Sequence, residues 1–357
     1  MKIVVACGGT GGHAFPGLAA AEELVRRGHE VTVWESGRDV ESSVMRGWKG
    51  SIFSTGARQL SPKNVFGILS SILRCRRRMK KDPPAALLAM GSYSSLPPVL
   101  AARACSVPVV LHEANSVPGR AVDFLSRYAS KVAVSFESAL KCFPSGKAVL
   151  TGLPVRETIG SGKKFPFIPD GAFTVFVTGG SQGAHAVNLL MCDALAIVAE
   201  ELRARNAPEK LFVIHQTGVK DEALVMAAYA KAGIPSRVVA FEREMADAFA
   251  SADIVVARAG ASTCFELAAA AKSAFLIPLP TALRNHQFHN AEAFAAAGAA
   301  DVGYQDRLTP ESVARHILHR MDNRSSLEAM SAKIARMHRG DAAARLADLV
   351  EEAAHVR

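Results

Sequence analysis

Long hydrophobic runs are missing from this sequence of 357 residues. No apolar stretch approaches the ~18–20 residues that a membrane-spanning helix needs, so no segment is expected to cross a bilayer. The N-terminal run Ile3–Cys7 turns into glycines after five apolar residues, too short for the hydrophobic region of a signal peptide and better suited to a buried strand. Paired cysteines are missing too: the six present are scattered with no Cys-x-x-Cys, which argues against a zinc knuckle or a disulfide framework and points to a reducing cytoplasm. No Asp-x-Asp occurs, so the clustered carboxylates that usually hold a nucleotide's metal ion are absent and no metal is expected. Aromatic residues make up only 6% and do not alternate with basic ones, which argues against a stacking platform for nucleic acid.

Apolar material is plentiful. With 49% hydrophobic and 21% charged residues the chain can bury full cores, and its length suits two domains. The first 155 residues alternate short β-branched runs (Ile3–Cys7, Glu30–Trp34, Ala86–Ala89, Val107–His112, Lys131–Val134, Ala148–Thr151) with helix-like stretches such as Pro16–Arg27 and Pro97–Ala104. Glu157–Gly171, rich in glycine and proline, reads as a linker, and alternation resumes at Thr174–Thr178, Lys210–His215, Arg237–Phe241, Asp253–Ala257 and Ala274–Pro278. Such alternation predicts an α/β chain with parallel sheets. The expected domains are 1–157, joined by a C-terminal helix 341–357 with an apolar stripe Leu346, Leu349, Val350 and Ala353, and 172–338. Each half opens with a strand, a glycine-rich turn and a helix: Gly8-Gly9-Thr10-Gly11-Gly12-His13, then Gly179-Gly180-Ser181-Gln182-Gly183-Ala184. Two Rossmann-like domains facing across a cleft are expected, with these turns lining it.

Gly9-x-Gly11-x-x-Ala14, with Glu35 about 20 residues on, matches the dinucleotide fingerprint; taken alone it argues for an NAD-dependent oxidoreductase, or merely for a tight turn. His13 in the first helical turn places a titratable imidazole where proton transfer near neutral pH is possible. A stronger pattern is Arg258-Ala259-Gly260-Ala261-Ser262-Thr263-Cys264-Phe265-Glu266, a strand end, a small-residue turn and a helix start. Main-chain amides there suit phosphates, and Glu266 one turn on suits a ribose, which together describe a nucleotide diphosphate. The phosphate charge would otherwise be met by Arg258 or Arg156. Arg284-Asn285-His286-Gln287-x-x-Asn290 gathers side chains able to read sugar hydroxyls. The formal charge of +9 is concentrated: Arg74, Arg76, Arg77, Arg78, Lys80 and Lys81 put six cations into eight residues. With Val65, Phe66, Leu69 and Ile72 before them, residues 65–81 read as an interfacial helix for an anionic membrane surface, or as a core helix with a solvated basic end.

Six motifs follow one another along nearly the whole chain: Gly8–His13, His112-Glu113-Ala114-Asn115, Gly152-Leu153-Pro154-Val155-Arg156, Gly179–Ala184, Arg258–Glu266 and His286-Gln287-x-x-Asn290. Together they resemble the MurG family of bacterial glycosyltransferases. The resemblance implies a GT-B fold and an inverting, metal-independent transfer of N-acetylglucosamine from UDP-N-acetylglucosamine to undecaprenyl-linked lipid I, giving lipid II for peptidoglycan synthesis, cell shape and division. It implies a peripheral position on the cytoplasmic face of the cell membrane and no cofactor. Carried over by position, it makes His13 the catalytic base with Glu113 as rival, and has Thr10, Gly11 and Gly12 line the acceptor side. Asn115 and Arg156 would reach the donor from the first domain. Ser181, Ala261, Ser262 and Thr263 would hold the diphosphate and Glu266 the ribose. Phe241 and Glu242 would flank the uracil, Glu242 through its backbone, and Gln287 or His286 would read the sugar. The chain departs from the family pattern at Ser92 (in Gly91-Ser92-Tyr93), Ala114, Leu153 and Ala259. Another GT-B transferase acting on a lipid such as diacylglycerol stays open as an alternative.

Overall fold

The β-branched runs bounded by glycine pair side by side into two wholly parallel sheets. The computed structural model describes residues 1–9, 11–37, 45, 47–59, 61 and 64–355. The chain divides into two compact units, Met1–Arg156 with Arg339–Arg357, and Glu157–His338. In the first, β1 (Lys2–Ala6), β2 (Glu30–Glu35), β3 (Ser51–Ser54), β4 (Ala86–Ala89), β5 (Val109–Glu113), β6 (Lys131–Val134) and β7 (Ala148–Leu150) lie in the order β3-β2-β1-β4-β5-β6-β7. In the second, β8 (Phe173–Thr178), β9 (Leu211–Gln216), β10 (Ser236–Val239), β11 (Ile254–Ala257), β12 (Ala274–Leu276) and β13 (Asp301–Val302) lie in the order β10-β9-β8-β11-β12-β13. Both orders step outward from the first strand and then reverse to its other side, the doubly wound arrangement.

Strand period 2 sends neighbours to opposite faces, and both faces are covered. Val5 packs with Leu24, Leu346 and Val350 under the helices Gly11–Arg26 and Ala342–His355. Val4 and Ala6 pack with Cys75, Met79 and Val99 under Val65–Lys81 and Leu96–Ala104. The apolar stripe Leu346, Leu349, Val350 and Ala353 is buried, and that last helix is also held by Arg27, which reaches Asp348 at 2.6 Å and Glu351 at 2.8 Å.

The structure departs from the sequence reading in three places. β3 and β13 were not foreseen; both are sheet edges, half-exposed and too short or too polar to show a strand pattern. The first helix begins at Gly11 rather than Pro16, and Pro16 lies inside it, where it lacks the N–H that would bond four residues back. Residues 157–171 are not a free linker but belong to the second unit: Lys163 N donates to Asp247 at 2.7 Å and Phe165 N to the buried Ser251 at 2.9 Å.

The basic helix Val65–Lys81 covers the sheet with a narrow face. Its buried residues are Ser71, Cys75 and Met79, while Val65, Phe66, Leu69 and Leu73 face outward, Phe66 at 87% exposure. Arg74, Arg76, Arg77, Lys80 and Lys81 continue that outer side, and Arg78 pairs with Asp82 at 3.3 Å.

The turn after β4 carries backbone strain. Gly91 has φ +86°, and Ser92 follows at φ 67°, ψ 168°, a region that only glycine occupies easily. The turn is pinned against the glycine loop after β1: Ser94 Oγ donates to Gly8 O at 2.5 Å, and a Cβ on Gly9 (φ +111°) would fall 2.5 Å from Ser92 Oγ. Ser92→Gly should therefore stabilise the protein by about 1 kcal/mol, strain relief outweighing the added chain entropy. Ser92→Ala, which keeps the strain, should not. Urea unfolding of both variants decides; equal effects would mean that Ser92 stores no strain.

Candidate active site

The two units are taken in turn. In the first, the candidate residues stand on the carboxyl ends of β1 and β5 and on the chain leaving β7. The loop after β1 feeds the helix that carries His13 in its first turn, half-buried, and Gly91 backs it, with a Cβ on Gly91 placed 3.7 Å from His13 Cδ2. Gly11 and Gly12 open the same helix, whereas Thr10 lies outside the described residues. Beneath them His112 is 1% exposed, with Nε2 at 3.3 Å from Ser135 Oγ and 3.5 Å from Gly152 O. Burial pushes its pKa down to about 4, the Gly152 carbonyl opposing and nearby His13 adding, so His112 is neutral at neutral pH.

Glu113 is 2% exposed and fully engaged: Oε1 accepts from Asn115 N at 2.8 Å and Asn115 Nδ2 at 3.0 Å, and Oε2 from Gly119 N at 2.9 Å. Burial raises its pKa against the pull of these three N–H groups. Glu113 thus splints the loop after β5 and aims Asn115. Arg156 lies with its guanidinium 4.4 Å from the ring of Phe15, on the His13 helix. Ala114 and Leu153, two of the departures from the family pattern, are buried.

In the second unit the candidate residues again follow strand ends. Ser181 is exposed on the loop after β8, which Gly183 (φ +74°) lets run against the next loop; a Cβ there would fall 1.9 Å from Thr217 O. The helix Ala261–Ala269 starts at Gly260, which offers no side-chain cap. Its Ala261, Cys264, Phe265, Leu267 and Ala268 are buried, leaving Ser262, Thr263 and Glu266 together on the outer face at helical spacing. Phe241, half-exposed, precedes Glu242, whose carboxylate is buried against Arg237 at 2.8 Å. Burial would raise the Glu242 pKa, but Arg237 and the Glu244 N–H hold it low. The Glu242 main-chain N–H donates to Gln216 Oε1 at 3.0 Å.

Two further sequence readings are corrected. Arg258, 8% exposed, is spent on Ile277 O (3.1 Å), Pro278 O (3.3 Å) and Gln305 Oε1 (2.6 Å), bracing strand ends rather than meeting a phosphate. Asn290 is fully buried and donates to Ala259 O at 3.1 Å, holding the turn before Gly260 rather than reading a sugar. His286 and Gln287 begin a helix entered through two left-handed residues, Arg284 (φ 54°) and Asn285 (φ 52°). His286 Nδ1 donates to Leu283 O at 2.8 Å, and Gln287 Oε1 accepts from Leu279 N at 3.0 Å, which leaves the Gln287 amide N–H groups as its donors.

Sequence reasoning passed over a buried polar chain beneath the Ser181 loop. Tyr229 OH lies 2.8 Å from His215 Nδ1, His215 Nε2 3.1 Å from Asn188 Oδ1, and Asn188 Nδ2 2.7 Å from Asp221, which pairs with His185 at 3.0 Å. Burial pushes the His215 pKa down to about 3, so the ring is neutral, donating through Nε2 and accepting from the tyrosine. The available signal was the polar pair His215-Gln216 closing the apolar run Leu211–Ile214.

Comparison with known proteins gives the family and the fold. Residues 3–134 match Glycosyltransferase family 28 N-terminal domain and residues 174–346 match Glycosyltransferase family 28 C-terminal domain. The UDP-N-acetylglucosamine--N-acetylmuramyl-(pentapeptide) pyrophosphoryl-undecaprenol N-acetylglucosamine transferase of Geotalea uraniireducens is 35% identical, covering 98% of this chain and 97% of its own. The protein of the same name from Geobacter metallireducens is 36% identical over 98% and 97%. The crystal structure of Acinetobacter baumannii MurG superposes with a TM-score of 0.78 at 31% identity, covering 98% of this chain and 99% of that one. The two parallel, doubly wound units are thus those of a GT-B fold, and the chain belongs to glycosyltransferase family 28.

Proposed function

We propose that this protein transfers N-acetylglucosamine from UDP-N-acetylglucosamine to undecaprenyl-pyrophosphoryl-N-acetylmuramoyl-pentapeptide, forming lipid II with inversion at the anomeric carbon. The observation that carries the reading is the shared outer face of Ser262, Thr263 and Glu266 at a helix start, in a chain that aligns over 98% of its length with transferases so named. Amides and hydroxyls at the helix start hold the diphosphate, joined by Ser181, and Glu266 accepts from the ribose hydroxyls. Phe241 gives the uracil an apolar face, and Gln287 donates to the sugar. The acceptor hydroxyl attacks the anomeric carbon as the bond to the β-phosphate breaks, and UDP leaves with the bonding electrons. The hydroxyl's proton passes to His13. Glu113 is a poor base by comparison, since both its oxygens already accept N–H groups inside the unit. An NAD-dependent oxidoreductase finds no support in the second unit, and a diacylglycerol acceptor is set aside on the names of the full-length relatives.

The direct test is transfer of labelled N-acetylglucosamine to a lipid I analogue, with diacylglycerol as a parallel acceptor and with excess EDTA in one arm. Lipid I should be glycosylated at the same rate with and without chelator, because helix ends rather than a cation meet the leaving diphosphate. Preference for diacylglycerol would overturn the acceptor assignment, and loss of activity in EDTA restored by magnesium the metal-free reading.

Two variants should separate the units' roles. His13→Ala should cut kcat by about 10²–10⁴-fold with donor affinity nearly unchanged. Glu266→Ala should raise the donor KM roughly 10-fold, the worth of charge-assisted hydrogen bonds. Steady-state kinetics decide; a His13→Ala enzyme within a few-fold of the parent in kcat would remove the base assignment.

The helix Val65–Lys81 supports a peripheral position on the cytoplasmic face of the membrane, its outward apolar residues entering the interface and its cations meeting anionic headgroups. Arg76→Glu, Arg77→Glu and Lys80→Glu together should weaken sedimentation with anionic vesicles at least 100-fold, at about 1 kcal/mol per cation. Binding to neutral vesicles should change far less. Equal losses on both vesicle types would mean that the helix is no electrostatic anchor.

A further inference from the structure

The last residue of β9 bonds to the loops on both sides of its own strand. Gln216 is 3% exposed, and all of its amide is used. Nε2 donates to Gly180 O at 2.9 Å and to Thr178 Oγ1 at 3.2 Å, both on the Ser181 side. Thr178 Oγ1 in turn accepts from Gly180 N at 3.1 Å, so this hydroxyl and amide together hold both main-chain polar groups of Gly180. On the other side, Oε1 accepts from Glu242 N at 3.0 Å, next to Phe241. Glu242 is itself held by Arg237, so that contact is rigid as well. One planar amide therefore spans from the loop after β8 to the loop after β10.

We infer that Gln216 is a positioning residue that sets the spacing between the diphosphate-binding and uracil-binding loops, and so fixes the length of nucleotide diphosphate the second unit accepts. This inference rests on the donor assignment above. A glutamine suits the role for a reason of chemistry: it offers a carbonyl to an N–H on one side and N–H groups to a carbonyl and a hydroxyl on the other, across one rigid plane. No apolar residue of the same volume can do so, and a buried carboxylate would face Gly180 O with like polarity. Gly180 and Glu242 lie on opposite sides of β9 in the sheet order β10-β9-β8, so no main-chain ladder bond links the two loops directly.

Two neutral, near-isosteric variants separate the two ends. Thr178→Val removes the hydroxyl from the phosphate side and leaves the Gln216–Glu242 bond intact. Gln216→Met removes all three bonds while filling the same space. Affinities for UDP and for uridine are measured by calorimetry on the full-length protein, beside Glu266→Ala, with thermal unfolding of each. Thr178→Val should weaken UDP binding about 3-fold or more with uridine unchanged, and Gln216→Met should weaken UDP about 10-fold or more and uridine about 3-fold. If both variants lower the melting temperature yet leave the ratio of UDP to uridine affinity at the parental value, Gln216 merely fills the core and the inference falls. Failure of the parent protein to bind UDP, or an undiminished Glu266→Ala, would instead remove the donor assignment and the inference with it.

Discussion

Parallel pairing is the constraint on which everything else rests. A parallel ladder needs a crossover for every strand, so all strands of a unit end on the same edge, and the loops leaving that edge are brought together whatever their distance in sequence. Val5 is level with Val33 on one side and Leu88 on the other, which puts the turns after β1, β2 and β4 at one height. The same register, with Thr178 level with Gln216 and Ala257, sets the loops after β8, β9 and β11 together in the second unit. The site is thus a by-product of sheet geometry, and its chemistry is added at loop positions that the sheet does not otherwise need.

Loops with no ladder of their own must be held by something, and here buried polar side chains hold them. Glu113 binds the loop after β5, Ser94 the loop after β1, Gln216 the loops after β8 and β10, and Arg258 and Asn290 the turns around Gly260 and Pro278. Each bonds at least one main-chain group, as burial demands. Each also sits inside or beside a motif that looks like ligand chemistry. Pre-organisation explains the overlap: side chains that meet a substrate keep their geometry only when their own loops are fixed, so polar residues concentrate around a site in two layers, and the inner one touches no ligand.

That layering sets how far the sequence could be read. Apolar period and glycine turns located eleven of the thirteen strands among the described residues, with ends matching or shifted by at most two residues, because buried parallel strands are apolar and bounded by turns. β3 and β13 escaped because β13 has only two residues and β3 begins and ends in serine. Candidate residues such as His13, Ser262 and Glu266 were legible from their place relative to a helix start. Arg258, Asn290 and Glu113 were legible as important but not as splints, since a residue type says what bonds a group can make and not with whom. Gln216 was invisible because its meaning depends on two loops meeting over one strand.

The charge pattern follows a different logic from the site. The first unit puts an outward run of Val65, Phe66, Leu69 and Leu73 on the same helix as five outward cations, with the inward face reduced to Ser71, Cys75 and Met79. A helix meant only to cover a sheet would bury its large apolar side chains, and this one buries Met79 but leaves Val65, Phe66, Leu69 and Leu73 outside. Leaving Phe66 in water forfeits about 1.5–3 kcal/mol relative to burial, a term that an apolar phase outside the protein would recover. A membrane interface does so, and its anionic headgroups add attraction for the cations that follow. On the proposed function this places the chain where a lipid-held acceptor is confined to two dimensions while the nucleotide sugar arrives from bulk water. The acceptor then needs little binding energy of its own from the protein, and tight, well-registered contacts are needed most on the soluble donor.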